Sequence, residues 1–68
     1  MSPALVDRPD GSVWAVVPYG MLTRTVAYAV LRDGMWHVRV VQDPRPPVVC
    51  KTRADARLAL ADLTGATP

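Results

Sequence analysis

One cysteine, Cys50, and one histidine, His37, are all that these 68 residues hold of the side chains most used for covalent and metal chemistry. A single thiol excludes an intramolecular disulfide and with it a cross-linked secreted miniprotein. One Cys and one His cannot supply the four ligands of a structural zinc site. The chain also lacks an apolar run approaching the roughly 18 residues of a membrane span, and its opening MSPALVDRPD lacks the apolar segment of a signal peptide. The expected location is therefore cytoplasmic. There is no glycine-rich phosphate loop, no nucleophile elbow and no HExxH. A Cys50–His37 pair would need a third group to orient it, and none is in reach by spacing. Asp33 falls in a turn, Asp43 in a loop and Asp55 at a helix start, so no pair of carboxylates is set for acid–base work. The expectation is a protein that is not an enzyme and that uses no cofactor and no metal.

An apolar fraction of 50% argues for a folded chain. At this length it is one small domain, with enough volume for a modest core but not for an enclosed pocket besides. Residues 1–10, with two prolines and two aspartates, are expected to form a flexible arm, and residues 11–68 the domain.

Four strands are expected, over residues 13–17, 25–32, 35–41 and 48–51. Pro18-Tyr19-Gly20 reads as a turn that stops the first. The second is β-branched and aromatic, although Val26-Ala27-Tyr28-Ala29 is also compatible with a helix. Asp33-Gly34 is the strongest hairpin signal in the chain. In the third strand Trp36, Val38 and Val40 alternate with His37, Arg39 and Val41. QDPRPP then interrupts as a stiff loop, since its prolines cannot donate to a central ladder. Thr52 is a good N-cap with Asp55 three positions on, alanines and leucines follow, and Gly65 ends a helix expected over 53–63. Ala56, Ala59, Leu60 and Leu63 form its wider apolar stripe, with Arg53 and Arg57 on one seam. The fold class is α+β: an antiparallel sheet of three or four strands packed against one C-terminal helix.

If the Trp36/Val38/Val40 side meets the helix, His37 and Arg39 face solvent. Arg32 becomes a cross-strand neighbour of Arg39 through the Asp-Gly hairpin. With Arg24 and Lys51 at the sheet ends they form a candidate nucleic-acid-binding set: Arg24, Arg32, His37, Arg39 and Lys51. Residues 11–68 carry seven basic side chains against four acidic ones, a mild excess. Cys50, in a Val-Val-Cys strand, is expected as a small buried hydrophobe, and Trp14 and Trp36 as core anchors. The chain holds more large apolar side chains than one helix can cover. Tyr19, Val30, Val41, Val49 and Leu58 are therefore candidates for a protein interface, with Leu58 either at the core margin or touching a partner.

Gly34, Trp36, Val38 and Val40, followed by Thr52, Ala56, Leu60 and Leu63, make a G-x-W-x-V-x-V strand and a strand-to-helix "x-T-x-x-x-A" junction. This segment, residues 34–63, resembles the arm-type (AP2-like) DNA-binding domain of tyrosine recombinases. The resemblance implies double-stranded DNA as partner, Arg39 and Lys51 at the DNA-facing places, and an accessory protein of phage or bacterial type.

The reading preferred on sequence is a small non-enzymatic interaction, regulatory or adaptor protein. It would bind a protein partner or a second copy of itself, as a homodimer, through its apolar sheet surface. The alternative is a DNA-binding accessory protein that uses the basic sheet face.

Overall fold

The computed structural model describes residues 3–67, so Met1, Ser2 and Pro68, which belong to the expected arm and domain, lie outside the described residues. Among the described residues there are five strands and one helix. They are β1 (Ala4–Asp7), β2 (Val13–Tyr19), β3 (Leu22–Arg32), β4 (Met35–Val40), β5 (Val48–Cys50) and α1 (Arg53–Thr64). The strands form one antiparallel sheet in chain order, β1-β2-β3-β4-β5, with the helix across one face. The fold is α+β, with five strands in place of three or four. The additional strand, β1, lies inside the segment expected to be a flexible arm, and pairs Ala4–Asp7 with Val16–Val13.

Local chemistry explains each connection. Asp33 and Gly34 both adopt positive φ, 53° and 77°, as the two central residues of a type I′ hairpin must. At the other end of β3 the loop is Gly20-Met21, and Gly20 supplies the positive φ at its first position. Strand β2 runs two residues past the expected stop, through Pro18 to Tyr19. Strand β1 ends opposite Val16, so Pro18 lies on a two-stranded ribbon with a free edge, where a strand proline is tolerated. Val26 is an extra residue in β3: Ala15 faces Ala27 and Val16 faces Thr25. This bulge shifts the side-chain alternation of β3 by one residue, and the Val26 carbonyl accepts from the Val41 amide at 2.9 Å. The helix begins where Thr52 Oγ1 accepts from the Asp55 amide at 3.1 Å, and it ends where left-handed Gly65 donates to the Ala61 carbonyl at 2.8 Å.

The core is an alanine layer with larger side chains set around it. Val13, Ala15, Ala27, Ala29, Trp36 and Val38 from the sheet meet Ala56 and Leu60 from the helix, with Ala59 and Cys50 half-buried beside them. In register, Ala15 lies opposite Ala27, and Val13 opposite Ala29, which lies opposite Val38. Methyl groups at the centre let the helix approach closely, and Leu60, Val13 and Val38 fill the space around it. Trp36 is a core residue as expected. Trp14 is not, because strand alternation puts it on the far side from buried Val13 and Ala15, where it is half-exposed. Leu58 is exposed on the outer side of the helix. Leu63, expected in the packing stripe, is exposed as well, and Ala61 is buried instead.

Replacing Leu60 by Ala is expected to cost about 2–5 kcal/mol, and overpacking with Ala29→Leu about 1–3 kcal/mol. Leu58→Ala should change stability by no more than about 0.5 kcal/mol. Urea unfolding followed by circular dichroism measures all three, and a Leu58 cost matching that of Leu60 would contradict this core.

Candidate functional site

Strand alternation sends every second side chain to the sheet face that the helix leaves uncovered. On that face Val6, Trp14, Tyr28 and Arg39 lie abreast on β1 to β4, in successive cross-strand pairs. The next row toward the Asp-Gly turn holds Val30, His37 and Val49 on β3 to β5, and Arg32 pairs with Met35 beyond it. Tyr28, Val30, Arg32, His37, Arg39 and Pro47 line one shallow hollow on this face.

Of the sequence-derived cationic candidates, the structure therefore brings together Arg32, His37 and Arg39. It does not bring Arg24 or Lys51 to them. Arg24 pairs with Val17 beyond the bulge, on the helix side by register, and its guanidinium lies 6.0 Å from the Tyr19 ring centre. Lys51 is exposed at the turn from β5 into the helix and does not line the hollow. The apolar candidates are more dispersed. Val30 and Val49 flank His37 on the open face, and Val41 is exposed just past the end of β4. Tyr19 is at the tip of the β2–β3 hairpin, beside fully exposed Met21, and Leu58 is on the helix. Those five residues do not form one patch.

The arrangement of charge distinguishes the two sides of the molecule. Asp7, paired in register with buried Val13, faces the helix and accepts from Arg53 at 2.5 Å and Arg57 at 2.9 Å. Asp43, in the loop after β4, is held by Arg45 through both carboxylate oxygens and also accepts from the Arg45 backbone amide. The Arg45 hydrogen bonds bring the Asp43 carboxyl down to about 2. Asp10 is bound by the Ser12 hydroxyl and amide, which lower its pKa. Among the described residues, Arg8, Arg24, Arg32, Arg39 and Lys51 have no carboxylate within ion-pair distance, whereas Arg45, Arg53 and Arg57 do. No described strand position on the open face carries a carboxylate. Asp43, at its margin near Arg39, is occupied by Arg45.

Two aromatic residues and one arginine that sequence reasoning did not place here complete the face. Trp14 and Tyr28 are a directly opposed cross-strand pair. The Arg8 guanidinium lies 4.4 Å from the centre of the Trp14 ring, a cation–π contact that adds a third arginine to the face. The alternation Ala27-Tyr28-Ala29, small on the packed side and large on the other, is the signal that points Tyr28 outward.

No cluster of three or more metal-ligating side chains occurs among the described residues, and no described helix is long and apolar enough to cross a membrane. No family model, curated protein or solved structure matches the chain.

The Asp7 clamp ties β1 to the helix and should make stability depend on pH. Its carboxyl lies below its usual 3.8, chiefly through the Arg53 hydrogen bond, with Arg57 adding to it against opposing desolvation. A depressed carboxylate contributes fully above the unfolded value and is lost as pH falls through the lower folded value. Asp7→Asn is therefore expected to lower Tm at neutral pH. Its deficit should shrink toward zero as pH drops below about 4. Thermal melts of both proteins across that range measure it, and a deficit independent of pH would contradict the clamp.

Proposed function

We propose that this chain is a non-enzymatic nucleic-acid-binding protein of the cytoplasm whose docking surface is the uncovered sheet face. The observation that carries the proposal is the convergence of Arg32, His37 and Arg39 with Tyr28 around one hollow, on a face whose described strand positions hold no carboxylate. Guanidinium groups with no protein partner are available to phosphate oxygens, which they bind in fork geometry. The overall charge of +2 understates this, because none of the six aspartates occupies a described strand position of this face, whereas Arg32 and Arg39 do. The resemblance of residues 34–63 to an arm-type DNA-binding domain accords with this class of partner.

Protein interaction, with a second copy or another partner, is the second reading. Val6, Trp14, Val30 and Val49 favour it, since they give the same face an apolar share. Self-association through this face has an electrostatic obstacle. Two copies stacked about a two-fold axis would bring the Arg8, Arg32 and Arg39 of both into one interface with no strand carboxylate between them, an arrangement that costs affinity.

Fluorescence anisotropy with labelled random-sequence DNA, single- and double-stranded, tests the proposal alongside light scattering. Binding that weakens steeply with salt is expected, and Arg32→Ala and Arg39→Ala should each reduce the salt slope by about 1. A salt-stable dimer that binds neither form of DNA would overturn the proposal in favour of the protein-interaction reading.

A further inference from the structure

We infer that the nucleic acid taken by this face is single-stranded, with an unpaired base stacked on Tyr28 and phosphates held by Arg32 and Arg39. This deepens the nucleic-acid reading and rests on it. Width is the first ground. The major groove of duplex DNA is about 12 Å wide and admits a helix or a two-stranded ribbon. Four strands stand abreast at the row Val6–Trp14–Tyr28–Arg39. Their three spacings already measure ~14 Å between outer backbones. Strand β1 is what widens the row, and the Asp7 clamp fixes it in place. The face is therefore too broad to enter the groove flat, whereas a single strand can lie across it.

Chemistry is the second ground. An aromatic pair at the middle of a cationic sheet face whose described strand positions hold no carboxylate is of little use against a duplex, whose bases are already stacked on one another. It suits unstacked bases, which stack on aromatic rings and on guanidinium planes. Tyr28 sits between Trp14 on one side and Arg39 on the other, so a stacking surface and a phosphate ligand are cross-strand neighbours. Arg8, over the Trp14 ring, offers a second planar cation at the same row. The remaining phosphate contacts fall to Arg32, in the hollow it shares with Tyr28 and Arg39. Stacking is tolerant of base identity, so weak sequence preference follows.

The test is anisotropy titration, at one fixed salt concentration, of a labelled DNA single strand of about 12 nucleotides, the RNA of the same sequence, and the DNA duplex. At least one single strand should bind about tenfold or more tighter than the duplex. Tyr28→Ala should weaken single-strand binding roughly 5- to 150-fold, the effect of losing one stacked base, and Tyr28→Phe should restore it. Circular dichroism establishes that each variant is folded, and the Phe variant and the strand-versus-duplex comparison stand even if the Ala variant is not. Duplex bound as tightly as both single strands, or single-strand binding indifferent to Tyr28→Ala, would overturn the inference while leaving the nucleic-acid reading intact. Failure to bind any of the three would overturn both.

Discussion

The close approach of the helix to the middle of the sheet is the constraint on which the rest of this structure depends. Ala15, Ala27 and Ala29 leave room for Ala56 and Ala59 to come near, and Leu60 then fills what remains. In so small a domain this arrangement removes little apolar surface per residue, so every buried methyl matters. It also decides where bulk can go. With alanines required on the packed side of β2 and β3, the large residues between them, Trp14 and Tyr28, are directed to the other side. The open face carries Trp14 and Tyr28 because the packed positions flanking them are taken by Val13, Ala15, Ala27 and Ala29.

Charge follows the same division. One carboxylate, Asp7, takes two arginines of the helix and fastens the first strand to the last element of the chain. The contact is modest as an exposed ion pair, but it spans 46 and 50 residues of sequence. Its larger effect is on distribution: it removes Arg53 and Arg57 from the pool of unpaired cations on the helix side. What is left unpaired among the arginines of β3 and β4 lies beyond the helix's reach, apart from Arg24 on its ribbon.

Much of this fold is legible in the sequence, and the exceptions have physical causes. Asp33-Gly34 declares its hairpin because both positions need positive φ. Thr52 and Gly65 declare the helix because each supplies a terminal hydrogen bond. The alternation of MWHVRV gives the buried and open sides of β4 correctly, since polar residues mark one of them. Strand β1 is not legible. ALVD is four residues long, lies between prolines, and becomes a strand only by pairing with β2. The facing of Trp14 is hidden for another reason: VWAVV has no polar residue to show which side meets water. Of the site, Arg32, His37 and Arg39 follow from the hairpin register. Arg24 is lost from the set because the bulge at Val26 shifts the alternation by one, and a bulge has no signature in this segment.

The two outer strands determine what this protein avoids becoming. A sheet edge is a row of open amide and carbonyl groups that can recruit further strands, and a sheet with one uncovered apolar face is doubly exposed to that fate. Here β1 is four residues long and is bracketed by Pro3 and Pro9, while β5 is three residues long and follows directly on Pro46 and Pro47. Each outer strand offers only a short stretch of uninterrupted backbone, and the free edge of the β2–β3 ribbon carries Pro18. The prolines thus act as stoppers on both outer strands, so that an open sheet face need not be accompanied by long templating edges at its two sides.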